Sequence, residues 1–526
     1  MPATSGKKAL AFATPRNAYS DFREMLFEAL DSDPSFKANY LAEELESKLL
    51  DPEHSLSPEE RRTKAINKWL ECEVRNMDTS VRLMHADGTE DILFLQDGTF
   101  PVGCDEVLDL AGYFIRQTIG NAIPWSELKG SFSGGASTKV RRGPGAIARK
   151  YQQGSNITEA AIWPFLRLTI SDVWAPREFD LVEGNVMFTV PKNSSIDRCA
   201  AKEPEYNMYA QKAVGDYIRR KLKRVGINLN DQTRNQRLAK EGSATGNLAT
   251  IDLSSASDSI TRQLVLRLVP DEWFHLMDAL RSPVTMIDGV AHDNVMFSSM
   301  GNGYTFELES LIFWALTRAV CRILRIKGSI SVYGDDIICP SEACEALVST
   351  LDFCGFKVNT KKSFWSGGFR ESCGKHWFNG RDVTPFYVKK VPEDVTDWCL
   401  LLNSFRGWCH EASGICDPSY FALWELFAQE LVPKPLWGGW DLTVRHNLVA
   451  PGRLPIARMY RKQLRAERDE RTYSLGAYLH WLSTSENRES PSELVTSEFT
   501  SDGQLLMRKT VKPSVTRNVP LFPQET

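Results

Sequence analysis

Two successive aspartates at the end of a short apolar run constrain this chain more than any other feature. They are Asp335 and Asp336, in the stretch Ser329–Pro340 that reads SISVYGDDIICP. β-Favouring runs flank a Gly-Asp pair, the signal of a hairpin. The turn would carry two carboxylates at the tip of two apolar strands. Unneutralised charges that close repel by roughly 4 kcal/mol at an effective dielectric near 20, so a purely structural turn gains nothing from them. A hard divalent cation uses such oxygens as ligands. The alternative is an exposed Gly-Asp turn with a spare Asp.

A second acidic element precedes the hairpin, Thr250–Ser259, reading TIDLSSASDS. Ser254, Ser255 and Asp258 are good helix caps, a role that suits Ser257 or Asp258 better than Asp252, which closes the strand-like run Leu248–Leu253. With Asp252 on a strand beside the hairpin, three carboxylates would converge, which is what two divalent ions about 3.5–4 Å apart require. Between the two elements lies Ser298–Thr305, SSMGNGYT. Its glycines let backbone approach a ligand, and a helix start favours phosphate; the same text also reads as a plain turn.

Basic residues surround the acidic ones. Lys192 and Arg198 lie in VPKNSSIDR, and Arg219, Arg220, Lys221, Lys223 and Arg224 in a run that reads mostly as a solvated helix face. Lys139, Arg141, Arg142, Arg149 and Lys150 lie in Gly-rich 128–154, which reads as a mobile loop able to follow a phosphate backbone without reading bases. Gly368–Lys375 ends in Gly-Lys but lacks the spacing and the Ser or Thr of a phosphate-binding P-loop.

At 526 residues the chain has room for two to four domains, and a net charge of −4 confines any nucleic-acid surface to a local patch. The eleven cysteines show neither C-x-x-C nor zinc spacing, as expected of reduced thiols in a cytosol. The N-terminus has no long apolar run, so no secretory leader is expected. The most apolar helical stretch, Leu308–Leu324, is broken by Glu309, Arg318 and Arg322 and cannot span a bilayer. Periodicity predicts helices over 20–50, from Ser57-Pro58 onward, and near 203–225, 260–281, 304–325 and 341–354. It predicts strands over 177–191 and 248–253, short strands and turns over 355–390, and a basic helix near 455–471. Trp398, Trp408, Trp424, Trp437 and Trp440 read as core, with a base-stacking platform as the alternative. The alternation of strands and helices around 248–340 argues for an α+β core.

The order of these segments resembles a known family. A basic segment, TIDLSSASDS, SSMGNGYTFELES, SVYGDD, GFKVNTKKSF and FRESCGKHWFNGRDVTP follow one another as motifs F, A, B, C, D and E do in right-hand RNA-dependent RNA polymerases. From Phe188 to Lys389 the chain resembles the replicase catalytic subunits of small single-stranded RNA bacteriophages; its first 120 residues match weakly. The resemblance implies an α+β right hand of fingers, palm and thumb with an antiparallel palm sheet. Residues 1–120 would pack around the hand, 121–250 would be mainly fingers and 251–395 palm. Residues 396–526 would lie on the thumb side, with Arg458, Arg461, Lys462 and Arg465 towards RNA exit.

The implied activity is RNA-templated polymerisation of NTPs with two Mg²⁺ or Mn²⁺ ions and primer-independent initiation. Asp252 and Asp335 would be the principal ligands, with Asp336 and the Leu253 carbonyl beside them. Lys192 and Arg198 would meet the triphosphate, Asp258 the ribose 2′-hydroxyl, and Ser299 and Gly301 the nucleotide and template. Lys361 or Lys362 would be the general acid. Many viral RNA polymerases have Asn where this chain has Glu309, with Asn302 as a substitute. Implied partners are RNA template and product, host elongation factors Tu and Ts and an RNA-binding ribosomal protein, in the cytoplasm of a bacterial host. A reverse transcriptase or DNA polymerase sharing the palm is disfavoured by Asp258 and its flanking text. A non-catalytic RNA-binding protein is disfavoured by the three intact carboxylates.

Overall fold

A computed structural model describes residues 15–48, 56–86, 91–143, 146–151, 154–170, 178–193, 195–388, 391–409, 418–438, 441–443, 447–449, 456–461, 464–468, 506–510 and 514–520. The chain forms two compact units. One comprises Leu56–Gly380 with Ala466–Arg508, the other Met1–Ser55 with Arg381–Arg465 and Lys509–Thr526. Among the described residues no helix is long and apolar enough to cross a membrane. The cysteines described are all free and, apart from Cys373, buried.

The larger unit is mixed helix and sheet. Helix α1 (Pro58–His85) starts as its sequence predicts: the Ser57 hydroxyl accepts from Glu60 N–H at 3.2 Å, and the Glu60 carboxylate accepts from Ser57 N–H at 2.9 Å. Strands β1 (Gly184–Pro191) and β2 (Asp197–Lys202) pair antiparallel and lead into helix α2 (Glu205–Arg224). Helix α3 (Thr233–Thr245) precedes strand β3 (Leu248–Ile251). The helix predicted over 260–281 is two, α4 (Arg262–Leu268) and α5 (Asp271–Leu280). Pro270 forces Val269 into extended backbone and breaks the run. Strands β4 (Val284–Ile287) and β5 (Val290–Asp293) form a hairpin turning at Asp288-Gly289, and β4 runs parallel to β1, completing a sheet in the order β5-β4-β1-β2.

Helix α6 (Thr305–Ile323) is buried over nearly its whole circumference and forms the centre of the main core. Strands β6 (Ser331–Tyr333) and β7 (Asp336–Pro340) form the predicted hairpin, with Gly334 at φ +60 in its turn. They join β3 in an antiparallel sheet ordered β6-β7-β3. All four residues of β3 are buried, which is why LATI reads as an unbroken apolar run. Helix α7 (Cys344–Phe353) follows. The chain then returns along the other side of β3: Val358 pairs with Leu253, Lys357 with Ser254, and Phe364 with Thr250. Strands β8 (Phe369–Ser372) and β9 (Lys375–Phe378) close this region.

The smaller unit packs helices Pro15–Asp31, Phe36–Lys48, Val395–Cys409 and Pro418–Leu431 around an aromatic core. The predicted helical region 20–50 is thus two helices, separated at Asp33-Pro34. Trp398, Trp408 and Trp424 are buried here, so they are core rather than a base-stacking platform; Trp440 lies outside the described residues. The basic helix expected near 455–471 is not formed. Ile456–Arg461 is a strand, paired antiparallel with Ser514–Pro520, and Leu464–Arg468 is another. Helix propensity lost to a partner strand more than fifty positions away. Arg458 and Arg461 therefore sit on the first of these strands and Arg465 on the second, while Lys462 lies outside the described residues.

Candidate active site at the acidic hairpin

The registers of three neighbouring segments assemble the site. The last pair between β7 and β3 is Ile337 with Ile251, so one step further Asp252 comes level with Asp336. On the other flank Val358 pairs with Leu253, which brings Asn359 level with Asp252. Asp336, Asp252 and Asn359 thus form one cross-strand row, with Asp335 in the adjoining turn. Asn359 N–H donates to Asp252 O at 2.9 Å, and its side-chain amide donates to Asp252 Oδ2 at 2.7 Å. The Ser363 hydroxyl accepts from Asp252 N–H at 3.0 Å. Asp336 Oδ1 accepts from the Ser372 hydroxyl and from Cys373 N–H, both at 3.2 Å.

Helix α6 supports the turn from below. Gly334 N–H donates to the Ser310 hydroxyl at 3.0 Å, and Phe306 meets Tyr333 edge-on at 5.1 Å. Glu309 lies against Gly334, where a Cβ would come within 3.0 Å of its Oε1. It makes no hydrogen bond or ion pair among the described residues, and burial, Asp335, Asp258 and Glu307 all push its carboxyl well above the usual range. Asp336 is pushed up to about 7 by burial and Asp335, with Asp252 adding to the rise. Burial also raises Asp252, with Asp335 and Glu371 adding to it, against the pull of Lys362 and Asn359. Burial and mutual repulsion thus both disfavour the ionised form of these clustered carboxylates.

Cations lie near the acidic row. Lys192 and Arg198 keep more than a third of their surface in water. The protein around Lys192, together with Arg198, Lys68 and Lys362, lowers its pKa, while Asp252 opposes the shift. Lys68, on α1, escaped sequence reading because it sits in a helix with no local motif. Lys362 lies 3.4 Å from Glu371; that carboxylate, Asp252 and Asp336 outweigh desolvation and raise its pKa. Lys361 is exposed and has no ion pair among the described residues. The structure therefore turns Lys362, not Lys361, towards the acidic row.

The Ser298–Thr305 segment is built into the protein. Ser299 joins a buried network in which Glu203 accepts from Asn185 at 2.8 Å, Gln211 at 2.9 Å and Ser282 at 2.8 Å, and Asn185 donates to the Ser299 hydroxyl at 3.1 Å. Ala201 N–H donates to Met300 O at 2.8 Å. Gly301 has φ +121, and a Cβ there would stand 2.1 Å from Ala201 O, so only glycine fits. Asn302 accepts from Tyr304 N–H at 2.9 Å, and its buried amide nitrogen has no partner among the described residues. Asp258 is held by its backbone: Asn76 on α1 donates to Asp258 O at 2.7 Å.

With this geometry in view, known proteins are informative. A family model described as RNA replicase, beta-chain, matches residues 16–519. The chain belongs to the RNA replicase beta-chain family. The RNA-directed RNA polymerase beta chain of Enterobacteria phage fr is 40% identical over 493 residues, covering 88% of this chain and 86% of that one. The beta chain of Escherichia phage MS2 is 45% identical over 352 residues, 64% of each chain. The RNA-directed RNA polymerase subunit beta of Escherichia virus Qbeta is 42% identical over 406 residues, 76% of this chain and 67% of that one.

In this family member the Gly-rich basic segment departs from expectation. Lys150 is fully buried, donating to Ser133 O and Gly135 O at 2.7 Å each, and burial lowers its pKa to about 8. It is an internal strut and cannot touch RNA. Glu205 pins the same segment by accepting from the backbone N–H of Lys139 at 2.7 Å and of Asn156 at 3.1 Å, so this part is anchored rather than a free loop. Lys139 is exposed but paired with Asp180 at 2.6 Å. Arg141 and Arg142 are exposed, and Arg149 donates to Arg141 O at 3.5 Å. In the run 219–224, Arg219 binds Glu307 at 2.6 Å and Lys221 stands 3.8 Å from Glu127, while Lys223 and Arg224 face solvent.

Proposed function

We propose that this chain extends RNA on an RNA template by nucleotidyl transfer at the Asp252–Asp336 row. Membership of the replicase family makes it an RNA-directed RNA polymerase. The reaction site rests on one observation: two carboxylates level on adjacent strands, a third in the turn, and Lys192, Arg198 and Lys362 around them. Among the described residues no three His, Cys, Asp or Glu side chains form a ready metal cage. Mg²⁺ is usually held by one or two carboxylates plus substrate phosphates. The donors present fit it: hard oxygens, unpaired with any cationic side chain at hydrogen-bond distance, in a field that disfavours their charge.

Asp252, Asp335 and Asp336 would hold two Mg²⁺ or Mn²⁺ ions. Such ions supply charge stabilisation and acidify an attacking hydroxyl when bound. The protein's own residues do the rest. Lys192 and Arg198 draw in the triphosphate of an NTP and offset charge on departing pyrophosphate. Lys362, kept protonated by its acidic neighbours, is placed to give that pyrophosphate a proton. Asp258 faces the sugar, and Ser299, Gly301 and Asn302 line its approach. The surroundings would be the palm of a right hand, with fingers before Asp252 and thumb after the β8–β9 region. Lys139, Arg141, Arg142 and Arg149 would touch RNA at the periphery. Primer-independent initiation, action in the bacterial cytoplasm, and partnership with elongation factors Tu and Ts and an RNA-binding ribosomal protein complete the reading.

Asp335→Asn tests it. Nucleotide incorporation with Mg²⁺ on an RNA template is expected to fall by on the order of 10²-fold or more. Near-normal incorporation by this variant removes the site.

A further inference from the structure

The segment that returns beside β3 does more than complete the sheet. It supplies a donor to one of the facing carboxylates, and the β8–β9 turn supplies donors to the other. Asp252 Oδ2 is taken by the Asn359 amide at 2.7 Å, and Asp336 Oδ1 by the Ser372 hydroxyl and Cys373 N–H at 3.2 Å. The opposite oxygen of each carboxylate has no N–H or O–H donor among the described residues. Asp252 is therefore tied at one oxygen and open at the other, and Asp336 is tied at Oδ1, with the Cys373 thiol also bonded to its carboxylate and no N–H or O–H on its second oxygen. The ties are neutral. A lysine or arginine in either place would orient the carboxylate but cancel the charge a cation needs. An amide or a hydroxyl orients it and leaves that charge intact.

Both donors are themselves fixed. Asn359 is held by its own N–H on Asp252 O and by Lys362 N–H on its carbonyl, both at 2.9 Å. Ser372 accepts from the Asn235 amide at 3.3 Å. Asn235, buried on α3, also donates to Asp336 O at 3.2 Å and accepts from the Ser331 hydroxyl at 2.6 Å, so one side chain links both hairpin strands to the turn that binds Asp336. Gln236 fixes the same turn through Cys373 O at 3.0 Å.

We propose that Asn359 and Ser372 are positioning residues that aim one oxygen each of Asp252 and Asp336 at a shared divalent cation. The inference rests on the metal reading given above. It is tested on the full-length protein by titrating Mn²⁺ without nucleotide, following free Mn²⁺ by electron paramagnetic resonance, with the metal dependence of nucleotide incorporation measured alongside. Asn359→Ala and Ser372→Ala are expected to weaken Mn²⁺ binding about 10- to 100-fold and to raise the metal concentration for half-maximal incorporation in step. Ser372→Thr keeps the hydroxyl and is expected to restore most of the affinity, a rescue that a merely structural role does not require. If Asn359→Ala fails to fold, Asn359→Gln and the Ser372 pair carry the test. Variants that bind Mn²⁺ like the unaltered protein, even with incorporation reduced, overturn the positioning role while leaving the site standing. An unaltered protein that binds no Mn²⁺ overturns both.

Discussion

Asp258 sits where a carboxylate is reluctant to ionise. Burial and the nearby Glu73 raise it from 3.8 to about 7, although Lys68, Arg198 and Lys192 pull the other way. Its folded-state pKa exceeds its unfolded one. Between these two values the folded protein keeps a proton that the unfolded chain has released, so stability from this group is greatest at low pH and declines as pH climbs towards 7. Asp252, Asp336 and Glu309 shift in the same direction. Asp258→Asn is therefore expected to flatten, without abolishing, the fall in thermal midpoint between about pH 4 and pH 7. An unchanged slope in calorimetry would contradict this. At this scale Asp252, Asp335 and Asp336 were marked in sequence, because acid at a strand end is a local pattern, whereas Lys68 and Glu371 were not. Nor were Asn359 and Ser372, since neutral donors carry no such mark and their partners come from register. Lys150 misled for the opposite reason: composition shows a basic loop but not which cation turns inward.

Among the elements, strong periodicity was enough. The helices at 203–225 and 304–325 and the acidic hairpin stand where apolar spacing and turn residues place them. The split at Pro270 follows from a local rule. The strands at 456–468 could not be read, because the pairing segment Ser514–Pro520 exists for them only in three dimensions. The turn before α6 gives a sharp test. Gly301→Ala adds a Cβ that must displace the β2 backbone at Ala201, in a backbone conformation ordinary residues avoid. The expected cost is at least about 1–3 kcal/mol, read as a lower urea midpoint, together with reduced incorporation. A variant as stable and active as the parent would mean that the turn repacks freely.

Over the whole molecule, the two units have separate cores. The smaller is stitched from distant parts of the chain. Phe22 meets Trp398 at 6.2 Å, Phe405 at 5.6 Å and Phe427 at 5.2 Å, each nearly edge-on. Phe22→Ala is expected to cost about 3–5 kcal/mol in the unfolding transition of that unit, seen by calorimetry; a loss under about 1 kcal/mol would deny Phe22 a place at its centre. Sequence reading found the helical region over 20–50 but not the helices Val395–Cys409 and Pro418–Leu431 that it packs against, and it had no means of joining the two parts. The join carries a timetable. A ribosome adding about 5–20 residues per second releases Phe22 on the order of half a minute before Trp398 exists. For that interval the first helix presents its greasy stripe to whatever surrounds the nascent peptide, and the last-made third of the polypeptide must arrive before the first-made portion can settle.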